Sequence, residues 1–395
     1  MIKRQIGFNI PYLTGKEADY ILESVKSRKI SGDGLFTKRC HEFFEKRYGF
    51  KKVFLTTSCT DALEMAAILI DIKQDDEIIA PSYTFVSSVN AFVLRGAKII
   101  FCDSEKDTPN INVNEIQELI TSRTKAIVVV HYAGMAVDMD PLLELAKKNN
   151  IYIIEDAAHS IDSYYKGRPL GSIGHLAAFS FHETKNVISG EGGMLVVNDE
   201  RFLLRAEIIR EKGTNRSAFF RGETDKYGWI DIGSSFLPSD IIAAFLYAQL
   251  ENLDDIQTKR KEIWNYYYKN LKELSDKEIL KFSKIPGYAT NNAHMFYVEC
   301  RSIDERHKLI DYLKSNGIHA VFHYLSLHKS SYYKDKSDGR QMKNSDRYTD
   351  HLLRLPMYYD LTEDDLHYIV DHIKFFFAEK PYKHFEGSLG LSELG

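Results

Sequence analysis

Two short stretches hold the residue types that could do chemistry. Residues 179–193 read FSFHETKNVISGEGG, and the small and aromatic apolar run at 177–181 predicts a buried strand. Lys185 stands where that strand has just stopped, and Gly190, Gly192 and Gly193 follow it. Partial burial disfavours an ammonium, so a lysine there offers a neutral amine for Schiff-base chemistry with a carbonyl compound. The glycines let the backbone turn closely and approach a ligand. The HET string evokes a zinc helix, but no second histidine stands at the needed spacing, so no metal is expected. Residues 151–160 read IYIIEDAAHS, a β-branched apolar run ending in two carboxylates. Ligands of a parallel α/β sheet gather outside the carboxyl ends of its strands, and Asp156 is placed there. A plain helix cap ahead of Ala157 and Ala158 is the competing reading of Asp156.

The elements that must position these groups alternate along the chain. Residues 15–50 predict two helices around the break Ser31-Gly32-Asp33-Gly34. A strand at 53–57 leads through Ser58-Cys59-Thr60 into a helix at 61–70. The start of that helix offers free N–H groups and a positive dipole end, which suit a phosphate or an ordinary cap. Strands follow at 77–80, 98–101 and 126–130, separated by helical patterns, and 195–197 closes the sheet. This alternation argues for parallel βαβ units. Pro81-Ser82-Tyr83-Thr84-Phe85 puts aromatic rings after a strand end, where one could stack on a flat heterocycle or simply fill the core. A charged helix runs to Arg210. Beyond it, Asn215, Arg216 and Arg221 stand in a glycine-containing loop that could grip phosphates or a sugar, or lie in solvent. A long helical pattern runs from Pro238 toward Leu274. A smaller α/β unit then has a strand at 295–299, a helix at 304–314, a strand at 318–322 and a final helix from Thr362. The predicted division is 1–250 and 251–395. The tail EGSLGLSELG carries no interpretable pattern.

Composition narrows the classes. The 395 residues are 44% hydrophobic, enough for a large core and more than one domain. A net charge of −4 without a basic block gives no field that favours nucleic acid. No apolar run approaches a membrane span, and the first residues lack the apolar core of a signal peptide, so a cytoplasmic protein is expected. Cys40, Cys59, Cys102 and Cys300 are scattered without CxxC pairing, as free thiols in a reducing compartment would be.

The strings DAAHS, SFHETKN and GEGG, with Ser31-Gly32-Asp33-Gly34 before them and Leu355-Pro356 after, resemble the DegT-type family of sugar aminotransferases. A closer likeness lies in SCTDALEMA, PSYTFVSSVNAFVLRGAKI, HYAG, REKGTNRSAFFRG and AVFHY. These resemble the branch that makes dTDP-4-amino-4,6-dideoxygalactose for enterobacterial common antigen. The resemblance implies a fold-type I architecture, with a mostly parallel sheet between helices and a smaller C-terminal α/β domain. It implies pyridoxal phosphate as cofactor, L-glutamate as amino donor, a nucleotide sugar ketone as acceptor and a homodimer with shared sites. The implied reaction carries the amine to C4 of dTDP-4-keto-6-deoxyglucose. The gluco epimer, a UDP sugar and a 3-keto sugar stay open as alternatives. Two rivals are weaker: a sugar dehydratase would carry histidine in place of Lys185, and a regulatory binding module would not need Asp156, Ser180 and Lys185 together.

The same resemblance implies roles residue by residue. Lys185 holds the cofactor aldehyde and moves the proton, and Asp156 pairs with the pyridinium nitrogen. The N–H groups of Cys59 and Thr60, with Ser180, bind the cofactor phosphate; Cys59 stands where many relatives have glycine. Phe85 stacks on the ring, with Tyr83 as the spare. His159, where relatives often have glutamine, reaches the ring oxygen. Gly32, Asp33, Tyr132, Asn215, Arg216, His323 and Tyr324 face substrate. Ser235 stands near where relatives place an asparagine that serves the neighbouring subunit's phosphate site.

Overall fold

The computed structural model describes residues 4–378, so the tail EGSLGLSELG lies outside the described residues. Its strands are β1 (Val53–Thr56), β2 (Glu77–Pro81), β3 (Lys98–Cys102), β4 (Thr124–Val130), β5 (Tyr152–Asp156), β6 (Tyr164–Tyr165), β7 (Arg168–Pro169), β8 (Leu176–Ser180), β9 (Gly193–Val197), β10 (Lys281–Phe282), β11 (Tyr297–Glu299), β12 (Val321–Phe322) and β13 (Leu352–Arg354). Seven of them form one sheet in the order β1-β9-β8-β5-β4-β2-β3, and β6 and β7 make a hairpin of their own. The run β3-β2-β4-β5-β8 is parallel. β9 lies between β1 and β8, antiparallel to both. The last strand of this sheet in sequence is therefore interior, and the edge falls to β1.

Alternation along each strand explains why both faces are covered. Ile78, Ala80, Val128, Ile154 and Ala178 enter one apolar layer. Their neighbours Ile79, Ile127, Val129 and Ile153 enter the opposite one. Residues that alternate in a strand point to opposite faces, and burial of both faces is the mark of a parallel sheet sandwiched by helices. The carboxyl ends of the central strands stay in register, with Val130 opposite Asp156 and Asp156 opposite Ala178.

The second sheet, β10-β11-β13-β12, is antiparallel and packs with helices Leu253–Asp276, Ile303–Ser315 and Glu363–Ala378. Residues near the start of the chain belong to this second core. Ile6 is buried in it and bridges Ile318. Phe8 lies against the Arg354 guanidinium, and the Asn9 amide donates to Glu183 O at 3.1 Å. Among the described residues no helix is long and apolar enough to cross a membrane.

The structure corrects two expected elements, decides against the helix-cap alternative at Asp156 and adds two elements. The helix from Pro238 toward Leu274 is two helices, Asp240–Glu251 and Leu253–Asp276. The break is at Asn252, whose side-chain amide donates to Ala248 O at 3.0 Å and so competes with the helical ladder. No helix follows Asp156; the Ala157 N–H donates to Ala178 O at 2.8 Å and turns the chain along the sheet. The strand expected at 318–322 shrinks to β12, because Ile318 is taken by Ile6. The strand at 352–354 and helix Lys343–His351 were not foreseen.

Candidate active site

The carboxyl ends of β4, β5 and β8 and the start of helix Cys59–Leu69 enclose a cavity of about 430 Å³. That lies within the roughly 300–1,000 Å³ usual for small-molecule sites. Its wall carries Cys59, Thr60, Phe85, Asp156, His159, Ser180, Lys185, His323 and Tyr324, nine of the residues singled out from the sequence.

At one end sits an anion seat. The helix begins at Cys59, and its N-cap Ser58 accepts from Asp61 N–H at 3.0 Å. The N–H groups of Cys59 and Thr60 make no hydrogen bond among the described residues, and both residues line the cavity. Unpaired amides at a helix start, with the dipole behind them, suit a phosphate. Ser180 ends β8 opposite Gly193, and Thr56 is opposite Gly193 on the other side. Gly193 is required by close approach: a Cβ there would run into the backbone of Ser58 and Cys59. The glycine start of β9 thus lets the amide turn lie against the sheet.

At the other end Asp156 is buried. Its Oδ2 accepts from Ser88 Oγ at 2.6 Å and its Oδ1 from Ala158 N–H at 3.1 Å. Thr84 Oγ1 lies 2.8 Å from Ser88 Oγ and extends the chain. Burial raises the Asp156 carboxyl above its ordinary value, and the two hydrogen bonds and Lys185 oppose that rise. A protonated ring nitrogen would give this buried carboxylate the partner it lacks.

Lys185 has its ammonium depressed to about 8, chiefly by burial, with Arg354 adding to the effect and Cys59 and Asp156 opposing it. Three histidines nearby, His159, His294 and His323, are held well below the usual imidazole value by burial and are neutral. The Ala133 N–H donates to His159 Nδ1 at 3.3 Å, which leaves Nε2 as the donor of that ring. His159 stacks on His294 with centroids 4.2 Å apart. The Asn186 amide donates to Gln257 Oε1 and Asn292 O, so its Oδ1 accepts from His294 Nδ1 at 2.8 Å. The peptide next to Lys185 is thereby tied to the ring wall. Arg260 completes the frame, donating to Ala293 O at 3.1 Å and His294 O at 2.6 Å. Phe85 is half-exposed at the cavity, 6.0 Å from Tyr324 between centroids.

Other expected residues lie elsewhere. Tyr83 and Tyr132 are buried behind the wall; Tyr83 donates to His323 O, and Tyr132 OH is 2.7 Å from His323 Nδ1. Gly32, Asp33, Arg216 and Ser235 line a different cavity, together with Lys29, Lys38 and Lys212. There Asp33 holds Arg210 at 2.6 Å and Glu211 holds Arg216 at 3.1 Å. Gly32 has a packing reason of its own, since a Cβ would meet the Leu237 side chain and Pro238 O. Asn215 Oδ1 accepts from Gly228 N–H. Within one chain these residues do not reach Lys185. His328, near the other histidines in sequence, bonds Ser82 and stays off the cavity.

Sequence reasoning missed Ser88, His294 and Arg354. The signal for the last two was a charged or polar residue inside an apolar run, AHMFYV and LLRLPM.

The residues present fit pyridoxal phosphate: an anion seat, a buried carboxylate and a depressed lysine share one cavity. The profile of the DegT/DnrJ/EryC1/StrS aminotransferase family matches residues 11–374. GDP-perosamine synthase of Escherichia coli O157:H7 is 31% identical over 94% of this chain and 98% of its own length. The spore coat polysaccharide biosynthesis protein SpsC of Bacillus subtilis (strain 168) is 29% identical over 93% and 96%. Among solved structures, the aminotransferase TlmJ of Streptoalloteichus hindustanus superposes with a TM-score of 0.87 at 26% identity, covering 95% of this chain and 99% of that one.

Proposed function

The chain belongs to the DegT/DnrJ/EryC1/StrS aminotransferase family, whose members are pyridoxal phosphate-dependent transaminases, and on that premise we propose that it carries an amino group from L-glutamate to C4 of dTDP-4-keto-6-deoxyglucose. The product of this reading is dTDP-4-amino-4,6-dideoxygalactose, destined for a surface polysaccharide. The observation that carries the reading is the sharing of one cavity by Lys185, Asp156 and the open amides of Cys59 and Thr60.

When bound, pyridoxal phosphate supplies an electrophilic carbonyl carbon and a ring that takes up the charge released when a substrate carbon loses its proton. The chain's own groups do the rest. Cys59, Thr60 and Ser180 hold the phosphate. Asp156, kept in place by Ser88 and Ala158, holds the proton on the ring nitrogen. Phe85 would lie against the ring, and His159 Nε2–H would be a donor for its oxygen. Lys185 Nζ, depressed to about 8, is the base that takes a proton from Cα of the donor and, in the second half-reaction, delivers one to C4 of the sugar. Glutamate leaves as 2-oxoglutarate.

The cavity lined by Gly32, Asp33, Arg216 and Ser235, with Asn215 beside it, fits a homodimer in which one chain's loop serves its partner's Lys185 cavity. Its four cations, Lys29, Lys38, Lys212 and Arg216, suit a nucleoside diphosphate. Phe220, Trp229 and Ile230 are exposed on the same segment, as an interface requires. The division near residue 250, between the two sheets, is proposed as the domain boundary.

The test is incubation with pyridoxal phosphate, L-glutamate and dTDP-4-keto-6-deoxyglucose, with the product read by NMR. An axial amine at C4 supports the galacto product, and an equatorial amine moves the assignment to the gluco epimer. Amine transfer only to a GDP-linked ketone would overturn the dTDP assignment. A Lys185→Ala protein with full activity would sink the mechanism.

A further inference from the structure

We propose that His294 Nε2 accepts a hydrogen bond from the hydroxyl beside the ketone carbon of the acceptor sugar and makes that hydroxyl a requirement for efficient amine transfer; this deepens the transaminase reading and rests on it. His294 lines the Lys185 cavity. The Asn186 amide is spent on Gln257 Oε1 and the carbonyl of Asn292, and a backbone carbonyl can only accept, so Asn186 Oδ1 takes the hydrogen of His294 Nδ1. That fixes the tautomer: His294 carries its proton on Nδ1 and a lone pair on Nε2. Nε2 makes no hydrogen bond among the described residues, and it is not sealed inside the protein as Nε2 of nearby Gln257 is. It opens onto the cavity that its ring lines.

The ring is held in place from several sides. His294 N–H donates to Asn292 Oδ1 at 3.0 Å, His294 O accepts from Arg260 Nη2 at 2.6 Å, and the ring stacks on His159 with centroids 4.2 Å apart. The Asn292 amide in turn donates to His159 O and Ile161 O. The stacked rings carry opposite tautomers, since His159 Nδ1 accepts from Ala133 N–H and keeps its hydrogen on Nε2. One ring offers a donor and the other an acceptor. In the third histidine, His323, Nδ1 meets Tyr132 OH at 2.7 Å, a hydroxyl that can give or take, so no tautomer is imposed there. Burial keeps the His294 imidazole neutral and so an acceptor.

An acceptor needs a donor. On pyridoxal phosphate the ring nitrogen belongs to Asp156 and the ring oxygen to His159 in the proposed site. L-Glutamate brings no hydroxyl. In the keto sugar, C4 lies between C3, which bears a hydroxyl, and C5, which bears the ring oxygen and the C6 methyl. Neither substituent of C5 can donate. C4 must come within reach of Lys185, and the C3 hydroxyl comes with it as the donor fixed beside the reacting carbon. The migrating amine is present in both half-reactions, whereas this hydroxyl enters only with the sugar. A group that reads the hydroxyl therefore acts in the second half alone.

The experiment uses the pyridoxamine phosphate-loaded protein in single turnover, followed by absorbance, with dTDP-4-keto-6-deoxyglucose and with its 3-deoxy analogue. The unaltered protein should favour the parent sugar by about 10- to 100-fold in kcat/KM, the loss expected when a missing hydroxyl leaves a buried acceptor unpaired. That comparison needs no variant. His294→Asn keeps a side-chain N–H as many bonds from the backbone as Nδ1, for Asn186, and removes Nε2. It should lose the same factor with the parent sugar and none with the 3-deoxy analogue. Release of 2-oxoglutarate from L-glutamate by its pyridoxal phosphate-loaded form should be unchanged. Use of the 3-deoxy analogue by the unaltered protein as readily as the parent overturns the inference alone. A variant that loses both sugars alike, or loses the glutamate half, does the same. Amination of neither sugar by the unaltered protein overturns the substrate assignment and this inference together.

Discussion

Gly193→Ala should separate the phosphate end of the cavity from the rest. The new methyl would overlap the carbonyl of Ser58 and the nitrogen of Cys59, where ordinary contact begins at 3.4 Å. All three atoms met are backbone, so no side-chain rotation relieves the overlap, and the turn must retreat by about 1 Å. A phosphate contact near 2.9 Å then stretches toward ~3.9 Å, beyond hydrogen-bonding reach. Each amide bond to a charged group is worth roughly 1.5–3 kcal/mol, so losing one weakens pyridoxal phosphate by about 10- to 150-fold. Overpacking adds a stability loss of about 1–3 kcal/mol. The assay is titration of the apoprotein, followed by absorbance, with pyridoxal phosphate and with pyridoxal, which has no phosphate. Only the first should weaken. Equal loss for both compounds, or loss for neither, refutes the reasoning.

Lys185 should be acylated by acetic anhydride in the apoprotein with a midpoint near pH 8, and its reactivity should vanish as pH falls through that value; competitive labelling with peptide mapping reads this. Because the folded state releases this proton more readily than the unfolded chain, the lysine's contribution to stability grows as pH rises from about 8 toward its ordinary value. Ser88→Ala removes the 2.6 Å bond to Asp156 and should raise that carboxyl further, seen as an acid limb of cofactor binding moved to higher pH. Arg260→Ala leaves Ala293 O and His294 O without their donor, and chemical denaturation should show a loss of about 3–5 kcal/mol.

The sheet was legible because its strands are buried on both faces and so read as unbroken apolar runs, with chemistry at their ends. Asp156 and Lys185 stood out for that reason. Asn252 was not legible as a break, since one asparagine in a long helical pattern is tolerated unless its side chain turns on the backbone. Arg354 hid in a three-residue strand, too short for periodicity to mark. Ser88 lies on helix Ser87–Val93 and is aimed at Asp156 by a fold that brings positions 68 residues apart together. Asn215, Arg216 and Ser235 were grouped with the Lys185 site by resemblance, yet pattern along one chain carries no information on whose cavity a loop will serve.

The placement of residues 6–9 constrains the order of assembly during synthesis. Ile6 needs Ile318, and Phe8 needs Arg354, which is made 346 residues later. At about 5–20 residues per second, the ribosome keeps Phe8 waiting roughly 17–70 s for its partner. In the second half of that interval the strands around Lys185 already exist, while the wall formed by β13 does not. The cavity is thus closed late, only once β13 is made, even though its lysine is made midway. A ribosome-stalled chain ending at residue 340 should remain open to protease at residues 6–9, and protection there at that length would contradict this order.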